Sequence, residues 1–360
     1  MQRLCILLLI LKLSTAEDRC SLCLKIVTSS KKEGSESEQQ TKERALKAAS
    51  SLSSTDRSVY TNELNCHWIK YYGDANMAKP PSSHSICADT GMCPLQYQNP
   101  TSFNIVDITN TTKNYGITCT MPKIILVHHT ATKSFDDTLS ALNSRGLSVQ
   151  YIVSKKGTVY QQVRDFYRAW HAGAGVWREV TDVNSYSVGI EIVNTGDEPY
   201  PQEQINAVSS LVVMLKHRWH VHPNYIIAHA DITPENKDDP SGYFPWSTLY
   251  EKVSIYPGLF NTSMTHSRQH GVIIGKNVTY TAARLEQIQN DLMELGYKSL
   301  ILRSGVYDTN TAMVFQAFNR HFAPEIFVKE KIGSNDETQY YESNQYWYGI
   351  SQERLQKLMS

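Results

Sequence analysis

Short apolar segments and one long amphipathic helix follow each other between residues 122 and 256, and this pattern constrains the fold more than any other feature of the chain. Apolar side chains recur every three or four residues from Ile205 to Trp219, after a proline at position 201 that a helix tolerates in its first turn. Strands interleaved with helices predict an α/β domain with a central mixed β-sheet flanked by helices. The apolar runs typical of buried strands lie at 123–128, 149–154, 158–162, 187–194 and 225–228.

Composition divides the rest of the chain. Three apolar stripes at helical spacing near the end predict a small C-terminal all-α domain. Ahead of the α/β domain, cysteines mixed with proline and aromatic residues indicate a loop-rich, Cys-bearing N-terminal extension. We therefore expect six segments: a signal peptide (1–16), a low-complexity linker (17–58), the Cys-bearing extension (59–121), the α/β domain (122–258), a second linker (259–280) and the helical domain (281–360).

The first sixteen residues are typical of a secretory signal, with a cationic start, an apolar stretch from Leu4 to Leu13 and small residues before position 17. The apolar stretch is far shorter than the roughly 20 residues that span a bilayer. We therefore expect a secreted or periplasmic protein with no membrane span in the mature chain.

An even set of six cysteines remains after the predicted signal. In an oxidising compartment such a set predicts disulfides, whose pairing the sequence leaves open. In a different interpretation, Cys20 and Cys23 form half of a zinc or redox site. The six are Cys20, Cys23, Cys66, Cys87, Cys93 and Cys119.

The charges exclude one class of partner. Thirty-five lysines and arginines balance thirty-five acidic residues, so there is no basic field to hold a phosphate backbone. We expect no nucleic-acid partner, and we expect a monomer.

Three potential metal ligands stand at the ends of predicted elements: His128, His229 and Asp239. Two imidazoles and one carboxylate suit zinc and leave a fourth tetrahedral position for water, as in catalytic zinc sites. Alternatively, these are ordinary polar residues at strand ends.

Glu191 interrupts an otherwise apolar predicted strand. An unpaired carboxylate buried there would cost several kcal/mol. Glu191 is therefore either an exposed residue on the alternate face or an acid/base group whose pKa is raised by its setting.

Several ordered motifs carry a family resemblance. They make residues 128–246 similar to the zinc-dependent N-acetylmuramoyl-L-alanine amidases of the type 2 family, which are related to peptidoglycan recognition proteins. The helical tail resembles that of the two-domain periplasmic members. The motifs are Val127-His128-His129-Thr130-Ala131, Ala169-Trp170-His171-Ala172-Gly173, Ser187-Val188-Gly189-Ile190-Glu191, Ala228-His229-Ala230-Asp231-Ile232 and Lys237-Asp238-Asp239-Pro240.

The resemblance implies a role for each matching residue. His128, His229 and Asp239 match the zinc ligands, Glu191 the catalytic acid/base, and Lys237 the cation that stabilises the oxyanion. In extended backbone Lys237 and Asp239 point the same way, so the intervening Asp238 is not our expected ligand.

Neighbouring residues are candidates for substrate contact. His129 faces away from His128 on a strand, so we expect it to pack beside the site or contact substrate. Trp170 and His171 are the other predicted substrate-binding residues, although His171 could instead cap a turn. Gln150 stands where many relatives have histidine, and we expect this change to affect substrate preference.

The resemblance thus implies a secreted zinc hydrolase that cleaves the amide between N-acetylmuramic acid and L-alanine in peptidoglycan or muropeptides. Two alternatives stay open: a non-catalytic peptidoglycan receptor, and a zinc peptidase acting on other peptides. The tail would either tether substrate or only pack on the catalytic domain.

Overall fold

The computed structural model describes residues 105–118, 120–262, 271–327 and 343–360. The predicted signal peptide, the linker at 17–58 and all six cysteines of the expected disulfides lie outside the described residues. Described residues 105–116 and those from 122 onward belong to one compact unit. None of the helices in these ranges combines the length and the apolarity needed to cross a membrane.

The predicted central mixed sheet is confirmed. It has six strands in the order β1-β5-β4-β7-β3-β8. β3 lies between β7 and β8 and is parallel to both, β4 is parallel to β7, and β5 runs antiparallel to β4. The strands are β1 (Ile105–Asp107), β2 (Tyr115–Gly116), β3 (Ile124–His129), β4 (Tyr151–Val153), β5 (Val159–Gln161), β6 (Arg168–Ala169), β7 (Ser187–Ile192), β8 (Ile226–Ala228), β9 (Val272–Ile274) and β10 (Trp347–Tyr348).

Helices flank this sheet, and the longest is the predicted amphipathic one. It begins directly after Pro201 and buries the apolar stripe that runs from Ile205 to Trp219. The helices are α1 (Phe135–Ser144), α2 (Val183–Tyr186), α3 (Gln202–Trp219), α4 (His229–Ile232), α5 (Trp246–Val253), α6 (Ala282–Leu295), α7 (Thr309–Phe322) and α8 (Gly349–Met359), with short 3₁₀ turns at Thr109–Thr111 and Pro223–Tyr225.

The core lies around the central strands β3 and β7, whose apolar residues are buried. Side-chain hydrogen bonds also tie α3 to the sheet. The buried Gln204 amide donates to the carbonyl of Val153 at 3.1 Å and to that of Val193 at 2.9 Å. These two hydrogen bonds fix the distance between α3 and the ends of β4 and β7.

Short strands account for the differences from the predicted architecture. β1 lies within the segment predicted to be the Cys-bearing extension, yet it pairs in parallel with β5. β9 lies within the segment predicted to be a linker and pairs with β10, so the prediction of an all-α tail is wrong. Strands of two or three residues are too short to show a periodic pattern, and their pairing depends on a distant partner.

Two left-handed glycines provide a test of this packing. Gly157, in the β4–β5 turn, has a φ of +77°, and an added Cβ would lie 2.7 Å from the backbone oxygen of Glu203 in α3. Gly146 has a similar φ of +66° but no atom within 4 Å of its would-be Cβ. We expect Gly146→Ala to cost roughly 1–2 kcal/mol through backbone strain alone. Gly157→Ala should cost about 1–3 kcal/mol more because of the added clash. Urea unfolding of both variants measures this, and equal midpoints would contradict the close approach.

Candidate active site

The structure brings His128, His229 and Asp239 together in one buried cluster. His128 lies near the end of β3, and His229 follows the neighbouring parallel strand β8. Asp239 comes from the loop between α4 and α5. The two Nδ1 atoms are 2.9 Å apart, and each is 3.0 Å from Asp239 Oδ2.

The hydrogen bonds of the two imidazoles indicate which ring nitrogen carries no proton. His229 Nε2 lies 3.1 Å from the carbonyl oxygen of Ala172, which can only accept, so Nε2 carries the proton. His128 Nε2 lies 3.0 Å from His171 Nδ1. If His128 Nε2 is the donor in this pair, both histidines direct an unprotonated Nδ1 into the cluster.

A longer chain of contacts supports that direction for His128. Ser187 Oγ donates to the carbonyl of Val183 at 2.6 Å, so it can accept from His171 Nε2 at 3.4 Å. A proton on His171 Nε2 leaves His171 Nδ1 as an acceptor for His128. The segment 171–172 thus orients both histidines, one through a side chain and one through a backbone carbonyl.

The donor set fits a divalent cation such as zinc. In this tautomer assignment two unprotonated nitrogens and a carboxylate oxygen meet with no proton to share among them. Ligands at zinc distances of about 2.0–2.1 Å and tetrahedral angles lie roughly 3.3 Å apart, close to the spacings observed. Three mutually repelling lone pairs at this spacing are stabilised by a cation between them.

Electrostatics favours the ligand forms of these groups. Burial and the neighbouring His229 lower the pKa of His128 to about 4, so its imidazole is neutral at neutral pH. Burial by itself would raise the pKa of Asp239, but His229 and His128 hold it well below its usual value. The neutral His128 imidazole and the ionised Asp239 carboxylate are therefore in the forms that bind metal.

Glu191 lies beside the cluster because of strand register. Its Cα pairs with that of His128 across β3 and β7, which places both side chains on one face of the sheet. Its Oε2 is buried and has no hydrogen-bond partner in the described part of the protein. Burial, and next the charge of Asp239, raise the pKa of Glu191 well above its usual value, while Lys237 opposes them.

An open cavity of about 270 Å³ gives access to these groups. Lys237 is exposed on its wall, and its charge reaches both Glu191 and His128. Asp238 also lines the cavity, but it is exposed and outside the three-ligand cluster. Helix α1 supplies the opposite wall with Thr138, Ala141 and Leu142, next to Arg145.

The part of the chain that supplies these residues is similar to known proteins. Residues 119–242 match the family model described as N-acetylmuramoyl-L-alanine amidase. The N-acetylmuramoyl-L-alanine amidase AmiD of Escherichia coli (strain K12) is 30% identical over 232 residues, which cover 58% of this chain and 77% of AmiD. The chain belongs to the N-acetylmuramoyl-L-alanine amidase family.

One further relative and a solved structure of AmiD delimit the match within this amidase family. The 1,6-anhydro-N-acetylmuramyl-L-alanine amidase AmpD of Enterobacter cloacae is 34% identical over 108 residues, covering 30% of this chain and 58% of AmpD. The solved structure of E. coli AmiD with the substrate anhydro-N-acetylmuramic acid-L-Ala-D-gamma-Glu-L-Lys covers 73% of this chain and 92% of its own, with a TM-score of 0.50 and 24% identity. It shows a shared fold.

Two of the three predicted substrate-binding residues of this amidase-family protein line the cavity, and the third does not. His129 lines the cavity, and its Nδ1 accepts a hydrogen bond from the backbone of Ser241 at 3.2 Å. Trp170 is 39% exposed under the Arg168 guanidinium and does not line that cavity. His171 reaches the inner wall but bonds His128.

Gln150 has a structural role in this amidase fold. It is fully buried, accepts a hydrogen bond from the backbone of Gly189 at 2.8 Å and donates to the carbonyl of Tyr167 at 3.0 Å. It does not line the cavity. The expected effect on substrate preference therefore has no support from its position.

Sequence reasoning missed the residues that orient the candidate ligands. Gly189 has no side chain where the His171 ring lies, since an added Cβ would be 2.6 Å from that ring. A glycine inside a strand signals such a close approach and could have drawn attention to it. The carbonyl of Ala172 left no signal in the sequence, because every residue has one.

His171 offers a direct test of ligand orientation. We expect His171→Leu to raise the zinc dissociation constant of this amidase-family protein about 10–100-fold, because His128 Nε2 loses its acceptor. His171→Asn should recover much of the affinity, since an amide oxygen can stand in for Nδ1. Competition with a chelator measures both. Unchanged zinc affinity in both variants, with a raised KM, would instead support substrate contact.

Proposed function

We propose that this protein is a zinc-dependent hydrolase of the amide bond between N-acetylmuramic acid and L-alanine in peptidoglycan stem peptides. The observation that carries the proposal is the His128, His229 and Asp239 cluster with Glu191 beside it on the same sheet face. A receptor would need the cavity but would have no use for a carboxyl with a buried, unpartnered oxygen next to three candidate metal ligands.

Muropeptides are the proposed substrate class. The AmiD structure was solved with an anhydromuramoyl peptide, and the AmpD relatives are named for the 1,6-anhydro sugar. The cavity is open to solvent beside the candidate metal ligands, so a scissile amide can reach them. The proposal extends to a secreted or periplasmic location, where such polymers occur.

Zinc held by His128, His229 and Asp239 would supply a Lewis acid that acidifies water and polarises the scissile carbonyl. Glu191 Oε2 would take a proton from the attacking water. The Lys237 ammonium would stabilise the negative charge that develops on the carbonyl oxygen. Glu191 would then pass the proton to the L-alanine nitrogen as the amide bond breaks, so that amine and acid leave separately.

The raised pKa of Glu191 suits its proposed acid step. A carboxyl with an ordinary pKa would be a weak acid catalyst at neutral pH, because it holds its proton poorly. Burial, and next the charge of Asp239, raise the pKa of Glu191 well above its usual value, while Lys237 opposes them.

Two substitutions separate catalysis from metal binding. We expect Glu191→Gln to keep zinc and stability but to lower kcat about 10²–10⁴-fold, because the proton acceptor is gone. Asp239→Ala should lose bound zinc together with activity. Glu179→Gln, at an exposed glutamate bonded to Tyr225, is the matched control and should behave as the unmodified protein. Muropeptide digestion, zinc content and thermal unfolding provide the three measurements.

The products of the same digestion distinguish the alternatives. Release of free stem peptide supports the amidase. Tight muropeptide binding by zinc-loaded protein without any release would show a receptor. Cleavage between two amino acids, detected by product mass, would show a peptidase, and full activity in Glu191→Gln would remove the base from the mechanism.

A further inference from the structure

Asp231, two residues after the ligand His229, lies at the centre of a fully buried polar network. Its Oδ2 accepts the backbone N–H of Ala228 at 2.8 Å, which closes the turn that carries His229. Its two remaining bonds come from the C-terminal tail, defined here as residues 271–327 and 343–360. Tyr297 donates to Oδ1 at 2.5 Å, and His321 Nδ1 lies 2.6 Å from Oδ2.

His321 continues the network into the α/β domain. With Nδ1 donating to Asp231, its Nε2 accepts from the Tyr250 hydroxyl at 2.7 Å. Its ring packs on Trp246 with centroids 3.7 Å apart. Both aromatic residues belong to α5, which follows the loop that carries Asp239. One tail histidine therefore joins the turn that carries His229 to the helix that follows Asp239.

The tail also contacts the ligand-bearing loop itself. An added Cβ on Gly242 would lie 2.2 Å from the side chain of Phe327, so the tail packs directly on this backbone three residues after Asp239. Arg320 packs on the same Phe327 ring. Its buried charge is attracted by Asp238, Asp239 and Asp231.

A third contact seats the first tail helix. Gly296 ends α6, and an added Cβ there would be 2.5 Å from the Trp177 ring. Its carbonyl accepts the backbone N–H of Arg178 at 3.2 Å. Tyr297, which bonds Asp231, is the next residue, so this contact sets the position of its hydroxyl.

We infer that the tail is a positioning element for the metal site: it holds the segment 228–242, which supplies His229 and Asp239, in the geometry that binds the cation. The inference rests on the metal site of the proposed function. Close-packed interiors transmit small displacements. The buried Asp231 carboxylate keeps all its hydrogen bonds only when the turn that carries His229 adopts this one conformation. His321 and Tyr297 act through Asp231 and His229, not on substrate.

Two substitutions with matched controls test the inference in the full chain. His321→Leu removes the imidazole that bonds Asp231, and Tyr297→Phe removes a single hydroxyl. Asn319→Leu is the control for the first, because its bonds to Asn344, Tyr346 and Ser351 all stay within the tail. Tyr307→Phe is the control for the second, because its hydroxyl donates to the carbonyl of Gln345, which also belongs to the tail.

Metal binding is the readout, measured by chelator competition with zinc and by the visible spectrum of the cobalt-substituted protein. We expect His321→Leu to raise the zinc dissociation constant roughly 10-fold, within the range for partners outside the ligand shell. Tyr297→Phe should shift it in the same direction by less. Both should change the cobalt spectrum, while Asn319→Leu and Tyr307→Phe leave affinity and spectrum unchanged even where they lower the unfolding temperature.

The outcomes separate this inference from the proposed function. If the unmodified protein binds zinc and releases stem peptide, while all four variants bind zinc equally, the tail does not position the site and only the inference fails. A raised KM for polymeric peptidoglycan with unchanged zinc affinity in His321→Leu and Tyr297→Phe would identify the tail as a tether. No zinc binding by the unmodified protein would overturn both proposals.

Discussion

The meeting of two imidazole nitrogens and a carboxylate oxygen within about 3 Å of one another governs the rest of this structure. In the tautomers that His171 and Ala172 favour, the three atoms direct lone pairs at one another, so surrounding contacts must hold each residue in place until a cation binds. The surrounding contacts do this. Ala172 and His171 bond the outer nitrogens, and the network of Asp231 closes the turn of His229.

Parallel pairing places Glu191 beside the candidate metal site. His128 and Glu191 are direct partners across β3 and β7, and a shift of one residue would turn Glu191 to the opposite face. The same register puts Gly189 where the His171 ring needs room. One pairing therefore positions the proposed base and the group that orients a ligand. This is economical, because both depend on a central strand whose apolar neighbours resist slippage.

The tail is integrated with the amidase-type fold more closely than a tethered module would be. Its histidine and tyrosine bond the Asp231 carboxylate, and its phenylalanine packs on Gly242, in the segment that carries two of the three candidate ligands. Asp231 and His321 form a fully buried, hydrogen-bonded pair. A partly folded chain that buried one of them without the other would leave a polar group without its partner, which costs free energy. Catalytic domain and tail are thereby expected to fold as one cooperative unit, in agreement with their compact packing.

The sequence by itself determined the mixed α/β fold and the long helix after Pro201, and it singled out the three candidate ligands and Glu191, because apolar periodicity and short motifs are local properties. It did not reveal β1, β9 or β10, whose two or three residues carry no period. Only the tertiary structure decided that His171 lies behind His128, that Gln150 supports backbone, and that His321 reaches Asp231 across 90 residues of chain. These partners are chosen by packing, and a pattern of neighbours in sequence holds no information about which distant side chain fills the space beside a given group.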